Sequence, residues 1–181
     1  VQRDRHDLIV IDLAALEGSH RGQRCVVLGG GPALVEDIKA VRPLLLQGGV
    51  WIGVNQHALL LSLDYIVYQD KELWPLLKGH APVISHHKDA CDIWSGVVPD
   101  FGFSGGTAVW IAGFLGFDEI YVAGCDNYMT TRRYWHSKLG DLRVEDGISN
   151  IQAWVKVRDY MKEPQKVKVA SGCLTKVFAP L

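Results

Sequence analysis

Two glycine-rich turns constrain this chain more than any other feature. The first closes an apolar run, Cys25-Val26-Val27-Leu28-Gly29-Gly30-Gly31-Pro32-Ala33-Leu34. The second, Ser104-Gly105-Gly106, opens an apolar helix and is followed by Glu119-Ile120-Tyr121-Val122-Ala123-Gly124-Cys125-Asp126. A short apolar run that ends in glycine reads as a strand buried on both faces, the strand type of a parallel sheet. Parallel neighbours need long crossovers, usually helical. The two turns therefore predict strand ends that face one ligand.

The rest of the chain keeps the alternation. Pro32 suits a first helical turn, and Leu34, Ile38 and Val41 recur at helical spacing up to Gly48-Gly49. Val50–Val54, Asp64–Tyr68, Ala81–Ser85, Glu119–Ala123 and Lys166–Ala170 read as further strands. A short apolar stretch after Asn55-Gln56, then Lys71–Leu77, Thr107–Leu115 and Ile148–Met161, read as helices. Residues 1–22 form an N-terminal extension, either a short helix or an edge strand, and residues 86–103 look irregular. Residues 124–147 read as a long polar and aromatic loop, and such loops usually carry function. The expected fold class is α/β: a doubly wound, mostly parallel Rossmann-like sheet in a single domain over residues 1–181.

Composition removes several function classes. The chain is 48% hydrophobic and 22% charged with a net charge of −1, so no general attraction to nucleic acid or a membrane surface is implied. No apolar run approaches the ~20 residues of a membrane span, and no signal peptide is evident. Cys25, Cys91, Cys125 and Cys173 form no CxxC pair, the pattern of reduced thiols in a cytoplasmic protein.

In a doubly wound sheet, ligands bind beyond the carboxyl ends of the strands, near the topological switch point. The residues there are Gly29–Gly31, Asn55-Gln56, Gln69-Asp70, Ser85-His86 and Gly124–Tyr128. Gly29, Gly30 and Gly31 would let backbone N–H groups approach an anion at a helix start. Ser104 would cap a second such start, with Gly105 beside it. A dinucleotide fingerprint would need a glycine near Leu34 and an acid where Asn55 stands, so nicotinamide and methyl-donor cofactors fit poorly. The Asn55 amide can still bond a ribose or a base edge. In the long loop, His136 suits proton transfer near neutral pH. Tyr128, Arg132, Arg133 and Tyr134 suit a departing phosphate, and Asp126 completes the polar set. His86-His87 point in different directions and have no spaced carboxylate, so no metal site is expected. Trp51, Trp74, Trp94, Trp110, Trp135 and Trp154 read as packing residues.

At these residues the chain resembles the MptE-like 6-hydroxymethylpterin diphosphokinase family and the related bacterial sialyltransferases of glycosyltransferase family 42. The shared elements are Gly29, Gly31, Pro32 and Leu34 after the first strand, then Asn55 and Gln56 after the second. Ser104 and Gly105 before an apolar helix, and Gly124, Asp126 and Tyr128 after a strand, complete the pattern over roughly residues 24–136. Phage-borne proteins of this kind share the Trp135-His136 pair. The resemblance implies a nucleotide-dependent transferase, with glycosyl transfer from a CMP-sugar-like donor first. Asn55 and Ser104 would then contact the donor, beside the strand-end candidates Gln56 and Gln69, with Tyr128 and Tyr134 at the leaving phosphate and His136 as base. No cofactor is required in that reading. An MptE-like diphosphokinase would instead need Mg²⁺ on Asp126 or Asp70, and a third reading is a non-catalytic nucleotide-binding or phage assembly protein. Implied partners are a nucleotide or nucleotide-sugar and a small-molecule or glycan acceptor, with no specific nucleic acid. The chain departs from the sialyltransferase pattern at Gly30 and Ala33, at Phe101 or Phe103, and in a shorter lid. With that lid the acceptor site is either absent or built by another chain, so a homo-oligomer is compatible.

Overall fold

Residues 24–28 alternate between two apolar environments. Cys25 and Val27 join one buried cluster, whereas Val26 and Leu28 join another. A period of two sends successive side chains to opposite faces, so this strand needs cover on both sides. The computed structural model describes residues 9–45, 48–125 and 147–181. In chain order it contains β1 (Ile11–Asp12), β2 (Arg24–Leu28), α1 (Leu34–Leu45), β3 (Val50–Val54) and β4 (Tyr65–Val67). Then follow α2 (Trp74–Leu77), β5 (Val83–Ser85), β6 (Ile93–Trp94), α3 (Ser104–Leu115) and β7 (Glu119–Ala123). Last come α4 (Gly147–Tyr160), β8 (Val167–Val169) and β9 (Ala179–Pro180).

Among the described residues the nine strands form one sheet in the order β1-β6-β5-β4-β3-β2-β7-β8-β9, with every pairing parallel. Val27 lies beside Ile52 on one side and Val122 on the other. That row faces α3 and α4, whose Ala108, Ile111, Ala112, Leu115, Trp154 and Val157 share its cluster. The opposite face packs Val26, Leu28, Tyr121 and Ala123 against Leu34, Val41 and Leu45 of α1. The doubly wound α/β sheet is thus the observed fold. No described helix is long and apolar enough to cross a membrane.

Most strand positions follow the apolar runs, and the departures have local causes. The stretch after Asn55-Gln56 is a series of turns rather than a helix. Asn55 adopts φ 54, and the bonds that follow close at three residues (Leu59 N–H to Gln56 O, Leu61 N–H to Ala58 O). The irregular 86–103 stretch contains β6, and the N-terminal extension supplies β1 as an edge strand beside it. Two-residue strands show no periodicity, which also hides β9. Lys71–Leu77 divides into a 3₁₀ turn over Lys71–Leu73 and the short α2.

Candidate functional site

From β2 the chain steps outward through β3, β4, β5 and β6, then returns over the sheet through α3 to β7 on the other side of β2. The carboxyl ends of β2 and β7 therefore form the switch point where such folds open a crevice. A cleft of about 230 Å³ lies there. Its walls include Gly29, Gly30, Asn55, Gln69, Asp70, Ser104, Gly105 and Gly124, all residues that the sequence placed at strand ends or at the second turn. Cys125, from the expected Gly124–Tyr128 segment, lines it too, and His57, Phe103 and Trp154 join them. Gly31, Gln56, Ser85 and His86 do not line it.

The first glycine turn is clamped to the end of β7. Gly29 N–H donates to Ala123 O at 2.9 Å, and Gly31 N–H donates to Gly124 O at 2.6 Å. A β-carbon on Gly29 would press on the Gly124 carbonyl and lie 2.6 Å from Cys125 Sγ. Gly124 itself has φ 65, a left-handed conformation that favours glycine, and its N–H donates to Asp37 Oδ2 at 2.8 Å. Asp37 is 4% exposed, so a buried carboxylate from α1 holds this corner. The glycines thus let β2, β7 and α1 approach closely, and two of the three amides expected at an anion are engaged by backbone. Gly30, which makes neither bond, lies on the cleft wall against the His57 ring.

Asn55 follows β3 and carries the one positive φ among the described non-glycine residues. Its N–H continues the ladder to Val67 O at 2.9 Å, and its Oδ1 is buried without a hydrogen-bond partner among the described residues. Gln56 Oε1 is buried in the same state. Leaving such a group without a partner costs about 1–3 kcal/mol, and unusual backbone conformations of this kind cluster at ligand sites. Gln69, after β4, donates from Nε2 to Thr107 Oγ1 at 3.0 Å and ties the sheet to the first turn of α3. Its carbonyl accepts from His87 Nε2–H at 2.6 Å. Outside the cleft, burial and then the neighbouring His87 lower the pKa of His86, against the opposing Asp100.

Ser104 does not cap α3. Phe103 occupies the cap position with extended backbone, its side chain makes no capping hydrogen bond, and Ser104 is the first helical residue. The start of this twelve-residue helix, Ser104 and Gly105, therefore lines the cleft without a side-chain cap among the described residues. Gly106 packs where a β-carbon would lie 2.7 Å from Val157 Cγ2, and a β-carbon on Gly105 would lie 3.4 Å from Trp154 Cζ2. Trp154 is 1% exposed and edge-on to Phe103 at 5.0 Å, and its Nε1 has no partner among the described residues. The sequence marks Trp154 as a packing residue and does not single out His57. Helical periodicity marks a tryptophan as buried but says nothing of where its N–H points.

Asp126, Tyr128, Arg132, Arg133, Tyr134 and His136 lie outside the described residues. Cys125, on the cleft wall, is the last described residue before them. Among the described residues no three His, Cys, Asp or Glu side chains gather as a metal group, and Asp70 is the one carboxylate on the cleft wall. A larger cleft of about 350 Å³ opens elsewhere, between Trp110 and Phe114 of α3 and residues 160–163. Its polar groups are largely paired, with Lys162 to Glu17 at 2.8 Å, Lys166 to Glu163 at 2.7 Å, and Trp110 Nε1–H to Tyr160 O at 3.3 Å. Size favours that cleft; unsatisfied chemistry favours the one at the switch point.

No family model and no curated protein matches the chain. Solved structures do resemble it. The MAf glycosyltransferase from Magnetospirillum magneticum AMB-1 superposes with a TM-score of 0.64 at 15% identity over 91% of this chain. Two variants of the sialyltransferase CST-II, each in complex with CMP, superpose with TM-scores of 0.56 and 0.54 at 14% identity. The likeness is one of fold. The chain spans 34% of the MAf enzyme, and 86% and 85% of the two sialyltransferase chains. These alignments cover 87% and 86% of this chain.

Proposed function

We propose that this chain is a nucleotide-dependent transferase that moves a glycosyl group from a CMP-sugar-like donor held in the switch-point cleft. One observation carries the reading: the start of α3 without a side-chain cap and Asn55, whose buried Oδ1 has no partner among the described residues, line the same cleft. The helix start concentrates about half a positive charge and N–H groups that no described side chain caps, which suits a phosphate. Asn55 Oδ1 needs a donor, which a ribose hydroxyl or a base amine supplies. A ligand with phosphate at one end and a nucleoside at the other satisfies both. The fold shared with glycosyltransferases, two of them holding CMP, supports the same choice.

In this reading His136 takes the proton of the acceptor hydroxyl. The acceptor oxygen bonds the anomeric carbon as its bond to the phosphate oxygen breaks, and the nucleotide leaves. Tyr128, Tyr134 and the α3 amides stabilise the charge on the leaving phosphate, with Asp126 in the same segment. The roles of these four loop residues rest on the family resemblance. A thermal-shift panel of CMP, UDP, GDP, ATP and 6-hydroxymethylpterin, with and without Mg²⁺, tests the proposal. A bound nucleotide at a hundred times its Kd adds about 2.7 kcal/mol of stability. No shift with any nucleotide would overturn the reading. A shift requiring ATP, pterin and Mg²⁺ together would replace it by diphosphoryl transfer, with Asp126 or Asp70 to hold the ion.

A further inference from the structure

Trp154 is almost completely enclosed, yet its Nε1–H finds no acceptor among the described residues. A buried indole N–H usually has one. The ring is wedged edge-on between Phe103 at 5.0 Å and Phe178 at 6.2 Å, so it is not free to turn toward another partner. Its Cζ2, two bonds from Nε1, lies 3.4 Å from the place a Gly105 β-carbon would occupy. The ring edge next to the orphaned donor therefore lies beside the first turn of α3, the turn that lacks a side-chain cap, and Trp154 lines the same cleft as Ser104 and Gly105.

We infer that the Trp154 indole N–H and the α3 amides together bind a phosphoryl group, with Trp154 donating to a non-bridging oxygen. Donors from a side chain and a helix start on one spot select a small, multiply accepting anion, and a phosphoryl group offers several oxygens at once. With the Gly29 and Gly31 amides engaged, this places the phosphate over α3 rather than in the glycine turn. The inference deepens the nucleotide-sugar reading and depends on it only for what carries the phosphate.

The test is an indole ¹⁵N–¹H spectrum of the full chain, which has six tryptophans, with the Trp154 signal assigned through contacts to the Phe103 and Phe178 rings. CMP, cytidine, inorganic pyrophosphate and acetate are added separately at constant ionic strength. CMP and pyrophosphate should move the Trp154 signal saturably, and cytidine and acetate should not. Trp154→Phe should weaken CMP about tenfold while leaving cytidine unchanged, as expected for one lost bond to a charged group. CMP binding with an unmoved Trp154 signal would overturn the inference and leave the nucleotide reading intact. Pyrophosphate moving the signal while no nucleotide binds would do the reverse. An equal response to acetate, or no response to any anion, would also overturn it. If Trp154→Phe fails to fold, the wild-type spectra alone decide.

Discussion

Asp37 tests how the switch point is held together. Its carboxylate is buried on α1 and accepts the Gly124 N–H at 2.8 Å. Asp37→Ala removes the acceptor but does not release the donor, because Gly124 O remains bonded to the Gly31 N–H at 2.6 Å. A hydrogen bond to a charged group contributes about 1.5–3 kcal/mol, and a stranded buried N–H costs about 1–3 kcal/mol. The two figures describe overlapping losses and are not summed. Asp37 also lies in the first turn of α1, where a negative charge contributes a further ~0.3–1 kcal/mol. The better helix propensity of alanine offsets about half a kcal/mol of that. The net expectation is a loss of about 2–3 kcal/mol. At roughly 2–4 °C per kcal/mol for a chain of this size, the melting temperature falls by about 4–12 °C. Asp37→Asn keeps a carbonyl oxygen at the same place and should lose only about 1 kcal/mol. Urea denaturation followed by circular dichroism reads both variants, with the order wild type, Asn, Ala and an unchanged slope. An Ala variant within about 0.5 kcal/mol of wild type would refute the argument, since the cost of burying the carboxylate would then cancel its bond. An Asn variant as unstable as Ala would show that charge, not the acceptor, holds the corner.

Two further changes separate stability from binding and from pH. Asn55→Gly removes the orphaned Oδ1 and relaxes the positive φ, so it should raise stability by about 1 kcal/mol while weakening CMP; Asn55→Ala should weaken CMP and lower stability. Calorimetric binding with parallel melts checks this, and a destabilised Gly variant would mean that Asn55 is structural. Glu119 is held below the ordinary carboxylate value of 4.5 by hydrogen bonds from Lys168 and then Tyr121, with burial opposing and the Lys168 and Arg24 charges assisting. A lowered folded pKa contributes stability above the unfolded value and loses it as pH falls through the folded one. The melting-temperature gap between wild type and Glu119→Gln should therefore narrow from pH 7 to below pH 4.5, and a constant gap would sink the assignment.

The parallel α/β sheet is legible in the residues alone, because a buried parallel strand is a short apolar run and glycine marks its end. Val50–Val54 and Glu119–Ala123 coincide with β3 and β7 for that reason. The same pattern places Asn55, Gln69 and Gly124 at strand ends, which is where a doubly wound sheet opens its cleft. Which amides are already bonded emerges only when distant segments pack together. Gly29, Gly31 and Asp37 meet Ala123 and Gly124 from far along the chain, and no local pattern records that they will be bonded. The same holds for the start of α3, where Ser104 has the chemistry of a cap but Phe103 occupies the position, its ring packed edge-on against Trp154. Trp154 belongs to the site because α4 packs on α3 and brings its indole to Gly105. Periodicity encodes which residues leave water; which buried donors remain unpaired depends on contacts between distant segments.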